Sequence, residues 1–317
     1  MKLLEVKNLS LRYETRAGDV RALENISFSL DTGERLGVVG ESGSGKSSLG
    51  FAILGLVQFP GKIKNGNVFF QGKDITLMND RDLEKMRGEG ITMIFQDSKA
   101  SLNPLMTVEE HFRDIFQYRI GEKSKHTCRK MALGILQDVG ITDSEERLKQ
   151  YAHQLSGGMA QRILIGLALA ESPKIIIADE ITTGLDVTLQ VQILNLLREL
   201  SQKRGTVFIL ISHAIGVVSY FSERIMVMYA GMIMEEGETK EVLDHPYHPY
   251  TKALLASLPQ GIKKRVNAIE GDPPSLSQEF KACPFAPRCH FVQDRCYSEK
   301  PPLRKRDKQN IACFFDI

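Results

Sequence analysis

One stretch of this sequence, Gly40-Glu-Ser-Gly-Ser-Gly-Lys-Ser47, matches the pattern G-x-x-x-x-G-K-[ST]. Glycines in this pattern let successive backbone N–H groups turn toward phosphate oxygens, and the helix that follows presents its positive N-terminal end to them. Lys46 is then the residue that neutralises the β- and γ-phosphates, and the Ser47 hydroxyl ligates Mg²⁺. The alternative is a chance glycine-rich turn. We favour a loop that binds Mg-ATP, because the stretch lies between an apolar run, Arg35–Val39, and a segment with helical spacing.

The composition excludes several classes of protein. The chain has 317 residues, enough for a nucleotide-binding core and an appendage. Its net charge is only +2, so we expect no nucleic-acid partner. Apolar runs such as Ile163–Ala170 are far short of the roughly 18 residues of a membrane helix, and the N-terminus has no secretory signal. We therefore expect a protein of the cytosol that acts at a membrane only from outside the lipid.

Short apolar runs alternate with helical segments along most of the chain, which predicts an α/β domain with a mainly parallel sheet. The predicted strands are Leu3–Tyr13, Ala22–Leu30, Arg35–Val39, Val68–Gln71, Ile91–Phe95, Ile175–Ala178, Val207–Ile211 and Arg224–Met228. Helices are predicted from near Gly45 and over Thr188–Gln202, and the polar stretch Thr107–Arg147 is predicted to be a helical insertion.

Two adjacent acids, Asp179 and Glu180, follow the apolar run Ile175–Ala178. At the carboxyl edge of a parallel sheet such acids face the ligand crevice. Asp179 suits coordination of Mg²⁺, and Glu180 suits positioning and deprotonation of an attacking water. Solvated acids at an ordinary strand end would be the better interpretation if the phosphate loop were not present.

Together these motifs resemble the ATP-binding-cassette ATPases. Leu155-Ser-Gly-Gly-Met159 looks like the signature sequence of that family, and it opens a segment predicted to be helical, Ala160–Glu171. A serine and two glycines at a helix start form a second anion site, although a simple helix cap is the alternative. The resemblance implies a P-loop NTPase core with an antiparallel β subdomain and a helical insertion.

The same resemblance covers about residues 1–240 and implies roles for further residues. Tyr13 matches the aromatic residue that stacks on adenine, and Gln96 matches the glutamine that senses Mg²⁺ and the attacking water. Asp186 lies in the loop that crosses the dimer interface, and His213 matches the switch histidine that contacts the γ-phosphate.

By this resemblance, nucleotide binding is expected from Tyr13, Gly40, Ser42, Gly43, Gly45, Lys46, Ser47, Ser48, Ser156, Gly157, Gly158 and Asp186. Catalysis is expected from Glu180, His213 and Gln96, and Mg²⁺ ligation from Ser47, Gln96 and Asp179. The sequence departs from the family at Ile181 in place of a proline, Gly184 in place of a common alanine and Ala214 in place of an aspartate. None of the three removes a group with a direct chemical role, but each lies in a loop that supports one.

A narrower resemblance is to the dipeptide and oligopeptide importer branch, which also includes transporters of nickel and oligosaccharides. It rests on Gln96-Asp97, Ser101–Thr107, Asp186-Val-Thr188 and His245–Leu255. The resemblance implies an ATP-hydrolysing subunit at the cytoplasmic face of the membrane. The implied partners are a paralogous cassette in a heterodimer, two transmembrane permease subunits and an extracytoplasmic solute-binding protein.

Two other functions were weighed against transport. A cassette ATPase that works on ribosomes or DNA usually has two cassettes in one chain or a basic surface, and this chain has neither. A non-catalytic regulator that only binds nucleotide is disfavoured because Glu180 and His213 are both retained.

The last quarter of the chain has a different composition. It holds nine of the twelve prolines, too many for another β-α-β unit, so we expect a nucleotide-binding domain over 1–240, with its helical subdomain at about 97–160, and an irregular tail over 241–317. Cys283, Cys289, Cys296 and Cys313 cluster in this tail. In a reducing compartment such a cluster more often holds a metal than forms disulfides, although buried cysteines without a ligand are the alternative. The spacing matches neither common zinc nor common ferredoxin patterns. The importer branch implies a [4Fe-4S] cluster there, with Zn²⁺ as the alternative.

Overall fold

The computed structural model describes residues 2–16, 18–96, 100–258 and 269–315. Asp97 and the start of the predicted helical subdomain therefore lie outside the described residues. The β-strands are β1 (Leu4–Thr15), β2 (Gly18–Leu30), β3 (Arg35–Val39), β4 (Gly61–Phe70), β5 (Lys73–Asp74), β6 (Ile91–Ile94), β7 (Ile175–Asp179), β8 (Val207–Ser212), β9 (Arg224–Tyr229), β10 (Met232–Glu238), β11 (Arg304–Arg306) and β12 (Gln309–Ile311).

The α-helices are α1 (Lys46–Ile53), α2 (Asp80–Glu89), α3 (Val108–Asp114), α4 (Lys125–Asp138), α5 (Ser144–Arg147), α6 (Gly157–Leu169), α7 (Val187–Arg204), α8 (Ile215–Phe221), α9 (Thr239–Asp244), α10 (Pro249–Ala256) and α11 (Asp294–Ser298). A π-helix, Ile115–Ile120, and three 3₁₀ turns, Ile75–Leu77, Ala152–Gln154 and Ala286–Arg288, complete the described helical structure. Within the described ranges, no helix is long and apolar enough to cross a membrane.

The chain divides into two compact units, the first formed by Met1–Met78 with Leu210–Ile317 and the second by Asn79–Ile209. The first unit contains an antiparallel sheet in the order β2-β1-β4-β5. Alternation in β1 places Leu4, Leu9 and Leu11 in the core with no exposed surface, which is the pattern expected of a half-buried strand.

A second sheet of the first unit has β3 parallel to β9, β10 antiparallel to β9, and the hairpin β11–β12 added at the edge of β10. One hydrophobic cluster packs against these strands. It includes Val39 and Val227 from the parallel strands, Tyr250 from α10, and Phe285 from the tail. The tail therefore shares its core with the strand that leads into the phosphate loop.

The second unit contains β6 and β7 as parallel neighbours, with Ile94 opposite Ala178. Its insertion is helical, as predicted, and is formed by α3, the π-helix, α4 and α5. A capping box begins α3, because the Thr107 side chain accepts from the Glu110 backbone N–H and the Glu110 carboxylate accepts from the Thr107 backbone N–H. Asp138 at the end of α4 pairs with Lys203 at 2.6 Å and with Arg204 at 2.5 Å, both near the end of α7.

The tail contains more regular structure than predicted. The tail contains α10, α11 and the hairpin β11–β12, and α9 begins at Thr239 directly after β10. Prolines misled the prediction because Pro249 is at the first helical position of α10, where a proline has no N–H to leave unpaired and already has a helical φ.

Candidate nucleotide site

The phosphate loop connects β3 to α1, and its shape depends on glycine. Gly45 has φ +99°, and a Cβ atom there would lie 2.3 Å from the backbone oxygen of Ala22. Only glycine fits a left-handed conformation this close to another strand. The Gly231 N–H donates to the Ser44 oxygen at 3.0 Å, so the loop is fixed to the turn between β9 and β10. The loop therefore has a defined conformation within the first unit.

Lys46 lies inside this loop with 4% of its surface exposed. Its Nζ donates to the backbone oxygens of Gly40 and Glu41, both at 2.9 Å. Ser42 and Gly43 are exposed, whereas Ser47 and Ser48 at the start of α1 are half-buried. The ammonium is thus held at the centre of the loop, where phosphate oxygens would compete with the two carbonyls for its protons.

Two further predicted residues belong to the same unit. Tyr13 is half-buried on β1, opposite Val20 on β2 and Gly61 on β4. His213 directly follows β8 and is exposed. The next residue, Ala214, precedes α8 and offers no side-chain cap, so the departure from aspartate leaves the N-terminus of that helix without one.

The second unit holds the predicted acids. Asp179 ends β7 and is 7% exposed, and Glu180 follows it with φ +49°. Since β6 runs parallel to β7 with Ile94 opposite Ala178, Gln96 and the two acids leave adjacent strands at the same edge. A non-glycine residue in the left-handed region is strained, and such strain is concentrated at functional sites. This arrangement suits oxygen ligation of a divalent cation and activation of water.

The signature segment begins α6. The Ser156 hydroxyl accepts from the Met159 N–H at 3.3 Å, so the helix starts at Gly157, three residues before its predicted start. Ser156 and Gly157 are exposed, whereas Gly158 is buried. A Cβ atom at Gly158 would lie 3.2 Å from the Leu189 side chain, so this position favours glycine. The exposed N-terminal end of this helix presents backbone N–H groups at the place where the sequence predicts an anion site.

Asp186 caps α7, since its carboxylate accepts from the Leu189 N–H at 3.0 Å. The contact between Gly158 and Leu189 thus brings the start of α6 to the start of α7. Sequence analysis missed Gln190, whose amide donates to the backbone oxygens of Thr182 and Leu185, both at 3.1 Å. This side chain braces the loop that follows Glu180, and no sequence signal distinguishes it from a surface glutamine.

The other two departures from the family pattern have structural correlates in this loop. Ile181 is 1% exposed and so fills the core directly after Glu180. Gly184 has φ +77°, in the region that favours glycine.

The metal-binding tail is not supported by the structure. In the part of the chain that the structure describes, which includes all four tail cysteines, no group of three or more His, Cys, Asp or Glu side chains is arranged to hold a metal ion. Burial raises the pKa of Cys283 to about 11 and also raises the pKa of Cys289 and Cys313. The geometry of the described residues therefore does not support the predicted [4Fe-4S] cluster or its Zn²⁺ alternative.

Comparison with known protein families agrees with this geometry. The profile of the ABC transporter family matches residues 23–183, which include the phosphate loop, the signature segment and both acids. A second profile, the C-terminal region of oligopeptide/dipeptide transporters, matches residues 234–296. The chain is an ATP-binding-cassette transport ATPase.

Relatives of known name match almost the whole chain. The oligopeptide transport ATP-binding protein OppD of Bacillus subtilis is 42% identical over 96% of this chain and 86% of its own length. The dipeptide transport ATP-binding protein DppD of Escherichia coli is 41% identical over 100% and 98%, and that of Bacillus subtilis is 44% identical over 99% and 94%. Within the ABC transporters, the chain belongs to the family of oligopeptide and dipeptide transport ATP-binding proteins.

Solved structures show the same core fold. A dimeric ATP-binding cassette in a post-hydrolysis state with ADP and phosphate superimposes with a TM-score of 0.66 at 32% identity, covering 74% of this chain and 98% of that one. The cbiO1 cassette of Clostridium perfringens, part of the cbiONQ transporter complex, also has a TM-score of 0.66, at 28% identity over 77% and 91%.

Proposed function

We propose that this chain is the ATP-hydrolysing subunit of a membrane importer that takes up di- and oligopeptides. The observation that carries the proposal is identity of 41–44% along nearly the whole chain to peptide-transport ATP-binding proteins, including a tail that matches their C-terminal profile. Import of nickel or oligosaccharides by the same kind of motor is the alternative cargo.

The residues divide the work of one ATP site. Lys46 and the backbone of Gly40–Ser47 hold the phosphates, and Tyr13 stacks on adenine. Glu180 positions and deprotonates the attacking water, and His213 contacts the γ-phosphate.

The Mg²⁺ ligands proposed from the sequence are Ser47, Gln96 and Asp179. A hydroxyl, an amide oxygen and a carboxylate form an all-oxygen donor set, which fits this ion. When bound, the cation would neutralise charge between the β- and γ-phosphates.

The exposed serine and glycine at the start of α6 belong to the second unit, whereas the phosphate loop belongs to the first. We place Ser156, Gly157, Gly158 and Asp186 opposite the phosphate loop of a second cassette, so that two ATP molecules lie between two subunits. The partner is a paralogous cassette. Hydrolysis then reopens the pair, and the segment after Gln96 with the helical insertion passes the motion to two permease subunits.

This arrangement places the chain at the cytoplasmic face of the membrane, with cargo delivered by an extracytoplasmic solute-binding protein. Residues 1–240 form the nucleotide-binding domain, with its helical subdomain at about 97–160, and 241–317 form the tail.

A metal cluster bound by the tail cysteines is a separate part of the proposal. Four thiols suit a [4Fe-4S] cluster, and the Cys283 backbone N–H donates to the Cys296 backbone oxygen at 3.0 Å, so these two cysteines are neighbours. Among the described residues, the tail has no group of side chains arranged to hold a metal ion, and no step of the ATP cycle depends on a metal in the tail. Iron, sulfide and zinc analysis of anaerobically purified protein decides: about four irons per chain support the cluster, and a metal-free chain refutes it.

The transport function is tested by affinity purification of the tagged chain from its own cells. Two permease subunits should co-purify, and the ATPase rate of the complex should rise with solute-binding protein loaded with peptide, but not with the same protein loaded with nickel or oligosaccharide. Co-sedimentation with ribosomes in place of permeases would contradict the proposal.

A further inference from the structure

An arginine from the cysteine-rich tail reaches the phosphate loop. The Arg288 guanidinium forms a fork on the Glu41 carboxylate, with Nη1 to Oε2 at 2.7 Å and Nη2 to Oε1 at 3.0 Å. The Arg288 side chain is only 6% exposed, and the Glu41 side chain is 22% exposed. Glu41 is the second residue of the phosphate loop, so a partly buried ion pair joins the tail to the loop within the first unit.

The rest of the guanidinium is equally well bound. Nη1 also donates to the Tyr229 hydroxyl at 3.1 Å, Nε to the Glu270 backbone oxygen at 2.9 Å, and Nη2 to the Ile269 backbone oxygen at 3.3 Å. Every guanidinium N–H therefore has an acceptor, which is the arrangement that makes a buried charge tolerable. These hydrogen bonds hold the arginine side chain in one position.

The backbone of Glu41 is fixed by the tail as well. Its N–H donates to the Tyr250 hydroxyl at 2.9 Å, and Tyr250 is fully buried in α10. The Tyr250 ring lies against Tyr229 and Phe285, with ring centroids 4.6 Å and 5.3 Å away. Thus the tail binds both the backbone N–H and the carboxylate of the same loop residue.

The position of Glu41 explains why its contacts with the tail affect ATP binding. The Glu41 backbone oxygen accepts from Lys46, the ammonium that serves the phosphates. A carboxylate without a partner at this point would repel the phosphates and compete for that ammonium. Arg288 removes both effects by pairing with the carboxylate from the side of the tail.

We propose that Arg288 is a positioning residue of the nucleotide site, which sets ATP affinity by holding and neutralising Glu41. The cysteine-rich tail is in this way a structural part of the ATP site, and its correct folding is needed for tight nucleotide binding. The proposal rests on the proposed function only in that Gly40–Ser47 binds the phosphates of ATP.

The test is a double-mutant cycle at Arg288 and Glu41, in which the Kd for Mg-ATP is measured with the purified full-length chain. Arg288→Ala should raise the Kd by about tenfold or more, the order of effect expected for one uncompensated charge near phosphates. Adding Glu41→Gln to Arg288→Ala removes that charge and should bring the Kd back to within about threefold of the wild-type value. Arg295→Ala is the matched control, because Arg295 is a solvent-exposed arginine of the same tail and should leave the Kd unchanged.

Rescue by Glu41→Gln separates positioning from folding, since a tail that merely unfolds would not be repaired by a change in the loop. If Arg288→Ala does not fold, the Kd of Arg288→Lys is measured instead, because lysine keeps the charge but loses the two-point contact with the Glu41 carboxylate. A raised Kd that Glu41→Gln restores supports the proposal. An unchanged Kd in a folded Arg288 variant, or a raised Kd without rescue, overturns it.

The two proposals fail in different ways. Loss of ATP binding in Lys46→Ala, with tight binding by the wild-type chain, supports the nucleotide site itself. No binding by the wild-type chain would refute the proposed function. If the wild-type chain and folded Arg288 variants bind Mg-ATP with the same Kd, only the role of Arg288 is refuted.

Discussion

At the scale of single residues, Glu180 occupies an unusual backbone position. It follows the buried strand β7 with φ +49°, while Ile181 after it is fixed in the core. A glutamate held in the left-handed region resists small rotations of its backbone, because its neighbours on both sides are packed. The side chain is thereby aimed by the fold, which is what a residue that positions water requires.

Glu180→Gln should stop turnover in the assembled transporter and leave ATP bound. Glutamine keeps the size and backbone position of glutamate but cannot accept a proton, so we expect the rate of phosphate release to fall by about 10²- to 10⁴-fold. Glu199→Gln, at an exposed position on α7, should leave the rate unchanged. Equal rates for Glu180→Gln and the wild type would disprove the catalytic role.

Gly184→Ala should lower the free energy of unfolding by about 1–2 kcal/mol, because φ at this position is +77° and an alanine there is strained. No atom lies within 4 Å of the added Cβ, so the effect comes from the backbone alone. Gly134→Ala is the matched change in helix α4, where the site is also open, and should stabilise by about 1 kcal/mol. Urea unfolding of both variants measures the two shifts; shifts of the same sign would contradict this explanation.

At the scale of secondary-structure elements, α10 is held to β10 by a buried acid. The Glu235 carboxylate accepts from the backbone N–H groups of Tyr247 and His248, at 2.7 Å and 3.1 Å, just before the helix begins. The His248 ring then caps the helix, since its Nδ1 accepts from the Tyr250 N–H at 3.0 Å. These contacts fix Tyr250 and so reach the phosphate loop.

This capped helix makes stability depend on pH. His248 is buried, and desolvation lowers its pKa from 6.5 to about 3. Between pH 6.5 and about 3, the unfolded chain binds a proton at His248 that the folded chain does not. The contribution of His248 to the free energy of unfolding is therefore complete above pH 6.5 and is lost as the pH falls. The loss is several kcal/mol, at about 1.4 kcal/mol per pKa unit.

His248→Asn should flatten this dependence, because asparagine keeps a capping oxygen and does not titrate. The measurement is the free energy of unfolding in urea at several pH values between 4 and 7. Burial raises the pKa of Glu235, which acts in the opposite direction, but this acid is present in both proteins and its effect cancels. A pH dependence as steep in the variant as in the wild type would rule out His248 as its source.

The sequence predicted the central strands well, since each predicted strand overlaps an observed one and Arg35–Val39 has the predicted bounds. Short buried runs of β-branched residues leave few alternatives. The tail was harder to predict because its helices are short and lie in a part of the chain that is rich in proline. The contact between Arg288 and Glu41 could not be foreseen, because it joins residues 247 positions apart and depends on the packing of Tyr229, Tyr250 and Phe285.

At the scale of the whole molecule, the proposed site needs two subunits. In the proposed arrangement, one chain supplies half of each of two ATP sites. We expect the isolated chain to hydrolyse ATP at least about 10²-fold more slowly than the complex with its partner cassette and permeases, because the donors that complete each site are missing. Phosphate release by the two preparations compares them directly, and equal rates per chain would argue against a shared site.

Family membership follows from the nucleotide motifs and from relatives that match nearly the full length of the chain. The cargo is not encoded in these motifs, because their proposed roles concern only ATP, Mg²⁺ and the attacking water. The motifs therefore allow residues of the ATP site to be proposed by number, whereas peptide as the cargo rests on similarity to named relatives.

The most direct test of the account is uptake of a labelled peptide into proteoliposomes that contain the purified complex with its solute-binding protein. With internal Mg-ATP, the wild-type complex should accumulate peptide while releasing phosphate, and complexes with Lys46→Ala or Glu180→Gln in this chain should do neither. Peptide accumulation that persists in either variant, or ATP hydrolysis by the wild-type complex without peptide uptake, would contradict the central claim.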